Sequence, residues 1–191
     1  MITLIIVDCQ IDFIAGTMAV NNASQAIENI KKFIVSNKDD IDKIIFTLDW
    51  HPYQHCSFKR NGGIWPTHCV QFTPGACIEP KLLKLVQSQG FNYEFICKGT
   101  MKDIEEYGAM SEIEFVQDLF GSKYYFDSIA TANADTDFIV CGIAGDYCVK
   151  STIENMIKGE IIPKVFLNGI VSIDDGSILN DFIEENKLEV I

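Results

Sequence analysis

The stretch "FIVCGIAGDYCVKSTIENMIKG", residues 138–159, decides the fold. Phe138, Ile139, Val140 and Cys141 form a short apolar, β-prone run, the mark of a buried strand. Gly142 and Gly145 punctuate a turn, and from Cys148 onward Val149, Ile153, Met156 and Ile157 recur at the spacing of one helix face. A strand handing over to a helix through glycines is the repeating unit of α/β proteins. It also sets a thiol at a strand's carboxyl end, where open parallel sheets bind ligands, and at a helix N-terminus, which favours an anion such as a thiolate. Most free cysteines are simply buried packing residues, so the stretch gives Cys148 a place and leaves its role to the rest of the chain.

The same alternation extends outward in both directions. Ile2 to Val7 is a continuous apolar run, as expected of a central parallel strand, and it ends in "DCQIDF" with Asp8, Asp12 and Phe13 just past its end. Ala23, Ala26, Ile27, Ile30, Phe33 and Ile34 predict a helix to about Asn37, with Asn21, Asn22 and Ser24 as candidate caps. Residues 41–48 read as a second strand closing on Asp49, and a long loop rich in Gly, Pro, His and Trp then runs to about Ile78. Compact domains rarely keep such a loop unless it is used. A short helix at 81–88 and a strand at 93–97 follow, ending in "KGT". A helix is expected from near Ser111; residues 122–133 read as strand or helix, with helix preferred, and are followed by a strand at 136–141, a strand at 161–167, a helix at 177–186 and a last short strand at 188–191. The expectation is a single domain spanning 1–191, a three-layer α/β/α sandwich around a mostly parallel six-stranded sheet.

Composition narrows the classes of function. The 191 residues are 48% hydrophobic and 22% charged, ordinary for a globular protein, and the formal net charge of −12 argues against nucleic-acid binding and attraction to anionic membranes. Seven cysteines, an odd number without a CxxC pair, predict reduced thiols and a cytoplasmic address. The N-terminus lacks a basic start and is broken by Asp8, so it reads as a strand rather than a targeting segment.

Three constellations carry chemistry. Asp8, Lys98 and Cys148 each follow a different strand; the acid can take the thiol proton, the lysine can balance charge and favour thiolate, and the Ala144 and Cys148 amides can face an oxyanion. A structural ion pair at the sheet edge is the plainer reading of Asp8 and Lys98. Asp49, His51, His55 and His68 gather all three histidines of the chain in one loop. Imidazole with carboxylate suits zinc, and also manganese or iron, and an extended D-x-H turns Asp49 and His51 to the same side. His55 is the open member, while Cys56 and Cys69 read as small buried thiols. Phe13, Trp65 and Tyr147 flank these clusters and can wall a pocket for a flat ring, though any one of them would equally suit a core.

The segments "VDCQIDF", "DWHPYQHCSF", "WPTHCV", "KGT" and "GIAGDYCV", in this order and spacing, resemble the nicotinamidases of the isochorismatase-like hydrolase superfamily. The resemblance implies a triad of Asp8, Lys98 and Cys148, one divalent metal ion (foremost Zn2+) on Asp49, His51 and His68, and an oxyanion hole at Ala144 and Cys148. It also implies a cis peptide at Ile143–Ala144, a ring-binding pocket formed by Phe13 and Trp65 with Ile143, Ala144 and Tyr147, and a nicotinamide-hydrolysing, small-molecule enzyme of NAD salvage. Another small amide or carbamoyl substrate is the alternative, and a homo-oligomer is left open. A catalytically dead binding relative would lack the lysine or the cysteine, and this chain has both. The sequence departs from the family's usual "DSYSAF" in "EEYGAM", residues 105–110, where Glu106, Gly108 and Met110 replace Ser, Ser and Phe, and Gly145 replaces a common threonine.

Overall fold

The computed structural model describes residues 1–110 and 136–191. The helices expected from Ser111 and across 122–133 lie outside the described residues. The observed elements are β1 (Ile2–Val7), α1 (Ile11–Ile14), α2 (Ala23–Ser36), β2 (Ile41–Asp49), α3 (Pro80–Ser88), β3 (Asn92–Lys98), β4 (Asp137–Ile143), α4 (Lys150–Lys158), β5 (Lys164–Val171) and α5 (Ser177–Glu185). All strand pairs are parallel, in the order β3-β2-β1-β4-β5. The chain winds outward from β1 to β3, then crosses back to β4 on the other side. The gap between the ends of β1 and β4 is therefore the switch point where such sheets place ligands.

Alternation along the strands builds the two cores. Leu4, Ile6, Ile44, Phe46, Ile139 and Cys141 face α2 and α3, whose Ile27, Ile30, Ile34, Leu82 and Val86 are buried against them. Ile5, Val7, Ile45, Val140 and Val165 face the opposite way, onto Val149, onto Ile153 and Met156 of α4 and onto Leu179, Phe182 and Ile183 of α5. This is the period of two expected of strands covered on both faces. At the N-terminus of α2, Asn22 takes the cap position with φ +64° and without a side-chain hydrogen bond, so of the three candidates it caps through its backbone carbonyl.

Two expectations need correction. The sheet has five strands among the described residues rather than six, and the last strand is reduced to a single bridge between Val190 and Val165. The amide of Leu188 is already committed: it closes the end of α5 on Ile183 O (3.0 Å), with Lys187 at φ +52° bonding Glu184 O (3.1 Å). That Schellman closure leaves too few free amides for a strand. The same device displaces β5 from 161–167 to 164–171. Glu160 at φ +63° bonds Ile157 O, and Ile161 bonds Met156 O (2.9 Å), so the apolar Ile161 seals α4 instead of opening a strand.

Candidate active site

The nucleophile turn is wider than the sequence suggests. The expected helix from Cys148 is preceded by a π-turn over Gly145–Val149, in which the Val149 amide reaches back to Ala144 O (3.0 Å) before α4 begins. The Ile143–Ala144 peptide is cis. Gly142, at φ +127°, pairs with Val7, and a Cβ there would lie 2.1 Å from Val7 O. Glycine is thus required for β4 to run this close to β1 at the point where the turn begins. Cys148 ends up 6% exposed, beneath the sheet edge.

Asp8, Lys98 and Cys148, expected together, are together. Asp8 stands just past β1 at φ +48°, and its Oδ1 accepts the Thr47 hydroxyl (2.7 Å). Its Oδ2 lies 2.8 Å from Lys98 Nζ, in an ion pair whose direction gives that oxygen no hydrogen bond. Lys98 Nζ also donates to Asp49 Oδ1 and, at 3.5 Å, to Cys148 Sγ. Carboxylate oxygens of Asp8 and Asp49 and the Cys148 sulfur fall within 4.8 Å of one another. Asp8 therefore presents a buried carboxylate acceptor beside the thiol.

Electrostatics set the resting charges. Burial and the ion pairs to Asp49 and Asp8 act against each other on Lys98, and the ion pairs win, holding the ammonium well above its ordinary value. Burial would raise Asp49, but Lys98 and His51 hold it well below the carboxylate range. Asp8 is raised, burial outweighing Lys98. Burial also pushes the Cys148 thiol well up, and the two carboxylates offset the lysine that alone would favour thiolate.

The histidine loop returns to β2 by pairing His51 with Val70: His51 N bonds Cys69 O (3.0 Å) and Gln71 N bonds His51 O (2.9 Å). This pairing carries His68 to His51. Their Nε2 atoms lie 3.4 and 3.5 Å from Asp49 Oδ2, while their Nδ1 atoms meet Gly99 O (2.9 Å) and Pro66 O (2.7 Å). Each Nδ1–H donates to a carbonyl, so each Nε2 is left with a lone pair facing the carboxylate. Four tetrahedral donors around zinc, at about 2.0–2.1 Å from the ion, stand about 3.4 Å apart; both histidine-to-Asp49 separations match, and all three donors lie within 4.8 Å of one another. Two carboxylates beside one lysine also leave net negative charge that a divalent cation would offset. The residues fit a metal ion. His55, the open member, stacks on His51 at 4.0 Å and forms a second group of possible donors with His51 and Glu105; in this structure its Nδ1 meets Ser57 Oγ (2.7 Å), its Nε2 donates to Ile104 O (2.9 Å), and burial together with His51 lowers its pKa to about 4. Cys69 is buried with its thiol pushed well up by that burial, as a packing residue should be.

The aromatic residues divide between two sides. Phe13, 5% exposed, packs its ring 5.6 Å from that of His68. Trp65 meets Tyr147 edge-on at 5.0 Å and donates from Nε1 to Tyr107 Oη (3.1 Å), with Tyr107 5.5 Å from Tyr147. Several supporting residues escaped sequence reasoning. Gln10, wholly buried, bonds both the N–H and the C=O of Asp49 (2.9 and 2.8 Å) and Ala76 O (2.8 Å). Asp12 accepts from the amide of Cys69 (2.7 Å), next to His68, in a cradle that Gly16 and Gly75 keep open. Thr47 was the findable one, since strand alternation puts it on the same side as Asp49, two residues on.

A thiol, carboxylate and ammonium joined at the switch point of a parallel sheet form the equipment of a nucleophilic hydrolase. No family model matches the chain. It is 32% identical to the nicotinamidase of Acinetobacter baylyi over 194 residues, covering 92% of this chain and 84% of that one. Among solved structures it is similar to PnC1 from L. infantum in complex with nicotinate (28% identity, TM-score 0.82, 100% and 91% covered). It is also similar to the pyrazinamidase of Pyrococcus horikoshii in complex with zinc (26%, 0.74, 100% and 98%). The chain belongs to the nicotinamidase family of isochorismatase-like enzymes, which hydrolyse carboxamides.

Proposed function

We propose that this enzyme hydrolyses nicotinamide to nicotinate and ammonia through a thioester on Cys148. The carrying observation is the buried Asp8 carboxylate within 4.8 Å of the buried Cys148 sulfur, with Lys98 pairing both carboxylates. Asp8 accepts the Cys148 proton as sulfur attacks the carboxamide carbon, and the C–N bond breaks as Asp8 returns that proton to the departing ammonia. Water then adds to the thioester, Asp8 again taking the proton, and nicotinate leaves with the thiol restored. Lys98 stabilises the charged triad by pairing with both carboxylates. The Ala144 and Cys148 amides stabilise the oxyanion, and Phe13, Trp65, Ile143 and Tyr147 enclose the ring. Asp49, His51 and His68 would hold a divalent ion, with zinc the first candidate, which when bound supplies a Lewis-acid anchor for the pyridine nitrogen. Similarity to a nicotinate complex and a zinc complex supports both parts.

The test is ammonia release from nicotinamide by the native protein, by Cys148→Ala and by a chelated sample. Cys148→Ala is expected to lose at least about 1,000-fold in kcat, as removal of a catalytic nucleophile does. Unimpaired turnover by that variant would sink the mechanism, and unimpaired turnover after chelation would sink the metal's role.

A further inference from the structure

Glu106 stands where the sequence departs from its family's pattern, and it is a buried acid, 8% exposed. Its Oε2 accepts the Gly99 amide at 2.9 Å. That N–H belongs to the Lys98–Gly99 peptide, whose carbonyl accepts from Trp50 N (2.9 Å). One residue further, Gly99 O takes the Nδ1–H of His51 (2.9 Å). Gly99 sits at φ +59°, so close that a Cβ would come within 2.4 Å of the imidazole. One short segment thus carries the lysine of the triad and the carbonyl that orients a metal donor, and the carboxylate of Glu106 fixes its amide. Carbonyl partners of this kind set a ligand's tautomer and basicity, and losing such outer support typically costs about 10–100-fold in metal affinity.

We propose that Glu106 is a positioning residue for the metal centre, acting through Gly99 to hold His51 Nε2 toward the ion. The inference rests on the assignment of Asp49, His51 and His68 as metal donors. Zinc affinity, read by competition with a chromophoric chelator, tests it in the native protein, His51→Ala, Glu106→Gln, Glu106→Asp and Glu106→Ser, each checked for a native melting transition.

Gln keeps an acceptor at the same reach and is expected to bind zinc within about threefold of native. Asp keeps the charge but draws the acceptor back by a methylene, and Ser cannot reach the amide. Both are expected to bind about 10–100-fold more weakly, and Ser stands in should Asp fail to fold. Native-like affinity in Asp or Ser overturns the proposal, as does a Gln variant as weak as Asp. Failure of the native protein to bind zinc, or retention of full affinity by His51→Ala, fails the donor assignment itself.

Discussion

At the scale of single residues, Lys98 is the one whose neighbours most depend on it. It is 3% exposed and pairs with Asp8 and Asp49, both buried. Removing one partner of a buried ion pair leaves an uncompensated charge, at a cost of about 3–5 kcal/mol. Lys98→Met should therefore lower unfolding free energy by about that amount in a urea titration, as well as abolish turnover. An equally stable Lys98→Met would mean that the carboxylates are not held by this ion pair. Residue type and strand-end position made Asp8, Asp49, Lys98 and Cys148 legible in the sequence, because charged groups at such ends have little packing to do. Gln10, Asp12 and Glu106 were not legible, since each acts on a backbone amide or carbonyl that only the fold brings near.

At the scale of elements, the ends of β1 and β4 decide the distance between Asp8 and Cys148. Gly142→Ala forces a methyl against Val7 O and a φ of +127° on an L-residue. Such a position costs about 1–3 kcal/mol when filled by a residue that does not suit it. The displaced strand end carries Cys148 away from Asp8, so kcat should fall by more than the loss of stability accounts for. Native kcat in a folded Gly142→Ala would show that the spacing of these strands does not matter to the chemistry. Elements were legible where periodicity ran uninterrupted, as in β1 and α2. They misled where an apolar residue had a different task, as with Ile161 and Leu188, whose amides close helices rather than extend the sheet.

At the scale of the whole molecule, alternating strands and helices made the layered parallel sheet readable, and the switch point followed from strand order. The histidine loop could be read as a donor cluster, but the bonds of His55 to Ser57 and Ile104 O and its grouping with Glu105 are not revealed by sequence spacing. An ion that binds the folded state alone stabilises it by about 2.7 kcal/mol at a hundredfold excess over Kd. For a chain of this size that is a rise of roughly 5–10 °C in Tm. Calorimetry with zinc and then with excess chelator should show the rise and its reversal; a Tm indifferent to zinc would count against the donor set.

The four strand ends that meet at the site also bear on how it is made. Lys98 lies 49 residues from Asp49 and 50 from Cys148, and Asp8 belongs to the first strand of the chain. Every contact among them is non-local, so their loop-closure entropy must be met before any rewards folding. No fragment shorter than the span from Asp8 to Cys148 contains all three residues. Assembly of the site therefore requires β1, β2, β3 and β4 to be in register together, so a separation of β1 from β4 takes it apart.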